Sequence, residues 1–170
     1  MTASTAVESN RPMPAYVAVI GPGDAATELE RLAYRVGELL ADAGAVLISG
    51  GRGGVMRASC AGAASRGGQV VGLLPGPDRA QGNEFLTVSL PTGLSEMRNF
   101  LVVNAADAVI AIGGGWGTLS EIALAQRAGK PLVALTSWTV SQPGMDVALR
   151  AAATPEDATA QVLAWCASSQ

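Results

Sequence analysis

The stretch IGGGWGTLSE, residues 112–121, decides how the chain folds. The apolar run Ala108–Ile112 leads into its glycines, and a pattern typical of a helix, Thr118–Ala128, follows them. Glycine tolerates backbone conformations and close approaches that other residues do not. A buried strand that passes through several glycines into a helix is typical of α/β folds, where the N–H groups at the start of the helix can hold an anion.

Two more glycine clusters stand at equivalent places earlier in the chain. Gly21-Pro22-Gly23 follows the apolar run Tyr16–Ile20, and Gly50-Gly51-Arg52-Gly53-Gly54 follows Ala45–Ser49. Because the carboxyl ends of parallel strands meet at one edge of a sheet, we expect the three clusters to lie side by side there. They predict a site for a small phosphate-bearing ligand. Its predicted binding residues are Gly21, Gly23, Gly51, Arg52, Gly53, Gly54, Gly114, Gly115, Gly117 and Thr118.

The order of apolar runs and helical patterns predicts the fold class. Strands are expected at Tyr16–Ile20, Ala45–Ser49, Val70–Leu74, Phe85–Leu90, Ala108–Ile112 and Leu132–Thr136. Helices are expected at Ala25–Ala43, Val55–Ser65, Leu94–Ala106, Thr118–Ala128 and Pro155–Cys166. This alternation predicts an α/β, three-layer Rossmann-like open parallel sheet with helices on both faces.

The same pass along the chain gives the domain organisation. Residues 1–14 are polar and predict a disordered tail, and residues 15–170 predict one nucleotide-binding domain. Between 137 and 153 the pattern is weak. Pro143-Gly144 indicates a turn there, and Val147–Ala151 is a possible last strand.

Composition and charge exclude several function classes. The net charge is −3 without a Lys/Arg cluster, so nucleic acid is not an expected partner. The chain has no histidine, which removes Ser-His-Asp and Cys-His pairs and leaves a zinc site short of its commonest ligand, so no metal site is expected. The two cysteines, Cys60 and Cys166, show no CxxC spacing and predict reduced thiols in a cytoplasmic protein. No apolar stretch is long enough to predict a membrane span or a signal peptide.

The first glycine cluster also matches the loose dinucleotide pattern G-x-G-x-x-A. That fingerprint needs an acidic residue at the end of the second strand to hold the ribose, and here the strand ends in Ser49-Gly50-Gly51. NAD is therefore not an expected cofactor. The chain also lacks the G-x-x-x-x-G-K-[ST] pattern of a P-loop.

Two ionisable side chains are candidates for catalysis, Arg98 and Glu121. On a helix over Leu94–Ala106, Arg98 shares a stripe with apolar residues that should face the core, so it must meet a carboxylate or a bound phosphate; these residues are Leu94, Met97, Leu101, Val102 and Ala105. Glu121 is expected in the first turn of its helix, where the dipole favours a carboxylate.

The helix Thr118–Ala128 is apolar on two sides, which predicts a homo-oligomer, either a dimer or a tetramer. One side would pack on the sheet and the other on a second subunit. Trp116, beside the start of this helix, has two readings: it stacks on the base of a ligand, or it covers the loop.

The pattern Gly114-Gly115-x-Gly117-Thr118-x-x-Glu121 resembles the P-G-G-x-G-T-x-x-E signature of the LOG family, the lysine-decarboxylase-like Rossmann proteins. Residues 50–56 resemble the first glycine-rich motif of that family, and the likeness runs from about Tyr16 to Thr136. Gly113 stands in place of the signature proline, and Ser95-Glu96-Met97-Arg98-Asn99 stands in place of Met-His-x-Arg-Lys. These differences make the chain most similar to the subgroup that includes the molybdenum cofactor carrier proteins.

The resemblance implies two functions of different classes. In the carrier-like subgroup, the glycine loops bind a phosphate-bearing pterin without turnover, so the molybdenum cofactor is a possible ligand and no cofactor is required. In the enzymes of the LOG family, a nucleoside 5′-monophosphate phosphoribohydrolase releases free base and ribose 5-phosphate. Carried over, Arg98 would bind the sugar or phosphate, Glu121 would stabilise the oxocarbenium-like centre or activate water, and Thr118 would hold phosphate.

Overall fold

The computed structural model describes residues 13–144, 147 and 149–168. The strands in this part of the chain are β1 (Tyr16–Ile20), β2 (Val46–Ser49), β3 (Val70–Leu74), β4 (Val88–Pro91), β5 (Ala108–Ile112), β6 (Leu132–Leu135) and β7 (Arg150–Ala152). The α-helices are α1 (Thr27–Asp42), α2 (Gly54–Ser65), α3 (Arg98–Asn104), α4 (Trp116–Arg127) and α5 (Pro155–Ser168). Two short 3₁₀ helices cover Arg79–Gln81 and Ser95–Met97.

The strands form one sheet in the order β4-β3-β2-β1-β5-β6-β7, and all six neighbouring pairs are parallel. After β1 the chain adds β2, β3 and β4 on one side, then crosses back to place β5 on the other side of β1. Ligands of open α/β sheets bind at such a reversal of strand order, in the crevice outside the carboxyl ends of the strands. The predicted fold class is confirmed.

Alternate residues of each buried strand face two different helical layers. Val17 and Val19 of β1 belong to a core shared with α1, α2 and α5. Ala18 and Ile20 belong to a second core that includes Val102 of α3 together with residues of α4. Both faces of the sheet are therefore covered, as in a three-layer α/β structure.

Several helix ends follow the chemistry visible in the sequence. The Thr154 hydroxyl accepts a hydrogen bond from the Asp157 N–H at 3.1 Å, which caps the start of α5. Gly129 follows α4 with a φ of +66°, the left-handed conformation that ends many helices. Helices α1 and α2 approach closely: Gly37 of α1 faces the backbone of α2, and Gly62 of α2 faces the backbone of α1.

Three elements differ from their predicted bounds by more than two residues. The fourth strand is Val88–Pro91 rather than Phe85–Leu90, and the predicted helix over Leu94–Ala106 is a 3₁₀ turn followed by the short α3. The last strand is Arg150–Ala152 rather than Val147–Ala151, a range whose residue 148 lies outside the described residues. Residues 1–12 of the predicted disordered tail also lie outside them.

Candidate functional site

The three glycine junctions follow β1, β2 and β5, which are neighbours at the centre of the sheet. Their glycines therefore meet at the carboxyl edge, in the crevice created by the reversal of strand order between β1 and β5. The sequence predicted this grouping correctly. The three junctions differ, however, in how much of their backbone is already occupied.

The first two junctions pack against each other. The Val55 N–H, in the first turn of α2, donates a hydrogen bond to the Pro22 carbonyl at 3.1 Å. A Cβ on Gly53 would lie 2.8 Å from the Gly23 carbonyl oxygen, and a Cβ on Gly21 would lie 2.5 Å from the Val55 side chain. These glycines, together with Gly54, are thus required for the contact between the two loops.

The third junction is packed at Gly113 and Gly114, where a Cβ would meet the side chains of Leu29 and Trp138, and open at Gly115 and Gly117. No atom lies within 4 Å of the positions that a Cβ on Gly115 or Gly117 would take. Gly115 caps α4 without a side-chain hydrogen bond, and the first backbone bond of the helix runs from the Leu119 N–H to the Gly115 carbonyl, 3.0 Å. The N–H groups of the first turn, including that of Thr118, therefore remain available to an anion.

Thr118 adds a polar side chain to this turn. It is 2% exposed, and its Oγ1 has no hydrogen-bond partner within the described residues. Buried hydroxyl groups normally find a partner, because an unpaired one costs free energy. An unpaired Oγ1 at the start of α4 is consistent with the predicted binding role of Thr118.

A cavity of about 500 Å³ opens beside the first two junctions, at the carboxyl ends of β1, β2 and β3. Its lining residues are Gly23, Arg52, Met56, Pro75, Gly76, Gln81, Ser95, Glu96, Arg98 and Asn99. Three predicted site residues, Gly23, Arg52 and Arg98, thus share one cavity. A slightly larger cavity at the opposite edge of the sheet, beside Tyr16 and Lys130, contains none of them.

Arg98 is the most unusual charged residue of the cavity. It is 7% exposed, its Nε has no hydrogen-bond partner, and no carboxylate of the described residues lies within 4.0 Å of its guanidinium nitrogens. Burial lowers the pKa of this guanidinium, the Glu121 carboxylate opposes that shift, and the nearby charge of Arg52 adds to it. A buried cation without an ion pair is costly unless an anion joins it.

The surroundings of Arg98 on its helix differ from those predicted. Its expected stripe of apolar neighbours is only partly buried: Val102 is buried, whereas Leu94 and Met97 are exposed. The reason is the 3₁₀ turn over Ser95–Met97, which has three residues per turn and breaks the α-helical spacing.

Glu121 lies on α4, 7% exposed, and burial raises its pKa to about 7, while the charge of Arg98 acts in the opposite direction. The expectation that Glu121 stands in the first turn of its helix was wrong, because α4 begins at Trp116, two residues before the predicted start. The helix dipole therefore contributes less to this carboxylate than its burial does.

Replacing Glu121 by glutamine should stabilise the protein at pH 8 and leave its stability nearly unchanged at pH 4. The folded protein keeps a proton on Glu121 that the unfolded chain releases between its ordinary pKa of 4.5 and about 7. Wild-type stability therefore falls as the pH rises through this window, by about 3 kcal/mol. Urea denaturation of both proteins at the two pH values measures the difference; an equal difference at both values would contradict it.

Gly50 is a residue of the site that the sequence did not single out. A Cβ at this position would collide with Arg98 Nη1 and with Met56 Sδ. The absence of a side chain at Gly50 is thus what allows the guanidinium to lie against the end of β2. Since its partner is 48 positions further along the chain, no local pattern distinguishes Gly50 from the neighbouring glycines.

The sequence model of the SLOG cluster4 family, LDcluster4, matches residues 14–162. The chain belongs to the SLOG cluster4 family. An uncharacterized protein of Archaeoglobus fulgidus is 44% identical over 142 residues, which cover 84% of this chain and 90% of that protein.

Solved structures place this SLOG cluster4 protein near molybdenum cofactor proteins. The molybdenum cofactor binding protein of Rippkaea orientalis superimposes with a TM-score of 0.83 at 32% identity, covering 89% of this chain and 97% of that one. The molybdenum cofactor carrier protein of Chlamydomonas reinhardtii gives 0.79 at 29% identity, covering 91% and 99%. The resemblance drawn from the glycine motifs is therefore confirmed at the level of family and fold.

Two features are absent from the described residues of this SLOG cluster4 protein. None of the helices described is both long and apolar enough to cross a membrane. The described part of the chain also has no group of three or more Cys, Asp or Glu side chains placed to hold a metal ion.

Proposed function

We propose that this protein binds a small ligand through its phosphate, or a similar oxyanion, at the carboxyl edge of the sheet. The observation that carries the proposal is Arg98, a buried guanidinium that lines a cavity of about 500 Å³ and has no carboxylate partner among the described residues. An anion that enters the cavity would supply the charge that Arg98 lacks.

Two neighbouring features support an anion rather than a neutral ligand. Arg52 also lines the cavity, lies close enough to affect the pKa of Arg98, and makes no ion pair with another described residue. Two neighbouring guanidinium groups repel each other until an anion lies between them. The N–H groups in the open first turn of α4 carry a partial positive charge and add hydrogen-bond donors for an anion, and the unpaired Thr118 hydroxyl adds another.

Within this class we propose a phosphate-bearing pterin such as the molybdenum cofactor as the ligand. The relatives of Rippkaea orientalis and Chlamydomonas reinhardtii are described as binding or carrying that cofactor. The Arg98 and Arg52 guanidinium groups of the cavity are donors that fit its phosphate, and the amides at the start of α4 lie at the same edge of the sheet. The cofactor would be cargo rather than a group needed for folding.

An alternative function is hydrolysis of a nucleoside 5′-monophosphate. The feature that favours it is Glu121, a buried carboxyl. Burial raises its pKa to about 7, and the charge of Arg98 acts to lower it. A carboxyl that changes protonation near neutral pH can act as an acid or a base on a glycosidic bond. Binding and hydrolysis use the same residues, so a direct assay has to separate them.

Calorimetry with AMP, followed by chromatographic assay of free adenine, tests both functions. We expect AMP to bind and to be recovered intact. Adenine release that Glu121→Gln abolishes would instead support the hydrolase. The cofactor itself is tested by loading the protein from a molybdenum cofactor donor and measuring protein-bound molybdenum after gel filtration. If neither AMP nor the cofactor binds, the proposed function is wrong.

Further expectations from the sequence stay predictions. These are the homo-oligomer, the cytoplasmic location and the absence of a nucleic-acid partner. The structure bears on the first through α4, which buries Ile122 and Ala125 within the chain and leaves Ala123 and Ala128 exposed. We propose that a second subunit packs on the C-terminal half of α4, around Ala123 and Ala128.

A further inference from the structure

A second cavity, of about 570 Å³, lies between α3 and α4. Its walls are mainly apolar and include Met97, Phe100, Leu124 and the ring of Trp116. Glu96 and Asn99 line both this cavity and the cavity that contains Arg98, so the two cavities share a boundary.

Trp116 is the largest exposed surface at this boundary. It is 81% exposed, although it is the first residue of α4 and lies between two glycines. The ring of Trp138 lies 5.7 Å from it, centroid to centroid, tilted by 37°. The Trp138 Nε1–H donates to the Gly115 carbonyl at 3.3 Å, which fixes the supporting ring. An exposed indole supported in this way is a stacking surface for a flat ring.

Glu96 supplies the polar part of the second cavity. Its carboxylate forms no ion pair or hydrogen bond with the described part of the chain. The preceding residue, Ser95, has a φ of +50°, an uncommon conformation for a residue with a side chain. An ionised carboxylate only accepts hydrogen bonds, so a partner must offer N–H groups.

We propose that the second cavity holds a flat heterocycle with an N–H and an amino group side by side on one edge, stacked on Trp116 and hydrogen-bonded to Glu96. Guanine and pterin rings share this edge, and a carboxylate can accept both of its hydrogen bonds at once. Adenine lacks the pair, and hypoxanthine lacks the amino group. This inference rests on the proposed function, because the same ligand would place its phosphate at Arg98.

The test compares ligands that share a phosphate and differ in the ring. Calorimetry with GMP, IMP, AMP, dihydroneopterin monophosphate and inorganic phosphate gives the affinities. We expect GMP and the pterin to bind about tenfold more tightly than IMP or AMP. The tighter of the two identifies the source of the ring. Equal affinities for GMP, IMP and AMP in the wild-type protein would overturn the role of Glu96.

Two variants separate stacking from hydrogen bonding. Trp116→Ala should lower the affinity for all ring-bearing ligands about tenfold or more and leave phosphate unaffected, while Glu96→Gln should remove the preference for GMP over IMP. Tyr34→Ala, an exposed aromatic position on α1, is the control and should change neither. If Trp116→Ala changes the sedimentation coefficient but leaves GMP binding unchanged, the proposed stacking role of Trp116 is wrong.

The two proposals fail in different ways. If phosphate and all nucleotides fail to bind, the anion site itself is wrong. If phosphate and nucleotides bind through Arg98 but without regard to the ring or to Trp116, only the ring site is wrong.

Discussion

Replacing Arg98 by methionine should lower the affinity for AMP about 100-fold and at the same time stabilise the empty protein by about 1–2 kcal/mol. The loss of affinity follows because a buried charged donor is removed from the anion site. The gain in stability follows because Arg98 is 7% exposed and forms no ion pair with the described residues. Methionine fills a similar volume without burying a charge.

Calorimetry and urea denaturation measure the two effects on the same protein. Arg127→Met, at the exposed end of α4, is the matched control and should change neither quantity much. Gly50→Ala is a second variant, since its Cβ would displace the Arg98 guanidinium without removing the charge, and we expect a smaller loss of affinity. An Arg98→Met protein that binds AMP normally would remove the main support for the proposed function.

Replacing Gly62 by alanine should destabilise the protein by about 2–4 kcal/mol. A Cβ at Gly62 would lie far inside the van der Waals contact distance to the Tyr34 carbonyl oxygen, and backbone cannot move aside as a side chain can. Helices α1 and α2 would have to separate, although alanine is intrinsically the better helix former by about 1 kcal/mol.

Gly117→Ala is the matched control, because Gly117 is also a helical glycine but has no atom within 4 Å of the new methyl group. We expect that variant to be as stable as the wild-type protein or slightly more stable. Thermal or urea unfolding of the two variants gives the comparison. Similar stabilities for Gly62→Ala and Gly117→Ala would show that the two helices are not in tight contact.

The central strands and the long helices could be predicted because their signals are local. Buried parallel strands are continuous apolar runs, and the predicted Ala108–Ile112 equals β5 residue for residue. The region before α3 could not be predicted in the same way. Its apolar residues suit an α-helix, but the chain forms a 3₁₀ turn over Ser95–Met97. There the Ser95 N–H donates to the carbonyl of Pro75, a residue distant in sequence, at 2.9 Å.

The residues of the site were predictable where glycine or charge marked them, as with Gly23, Arg52 and Arg98, which line one cavity. Two properties depended on tertiary structure. The need for glycine at position 50 comes from Arg98, which is distant in sequence. The difference in packing between the junctions, with Gly21 in contact with α2 and Gly115 open, depends on where α2 lies.

The contrast between the packed and the open junctions determines where ligand binding removes conformational freedom. The loops after β1 and β2 are already fixed by the Val55–Pro22 hydrogen bond and by their mutual packing, so they are preorganised and lose little further freedom when a ligand arrives. The turn at Gly115 and Gly117 makes fewer such contacts: the Trp138 Nε1–H donates to the Gly115 carbonyl, and the space beside Gly117 is open. The entropic cost of complex formation therefore falls mainly on that one turn, and the rest of the sheet edge serves as a rigid template.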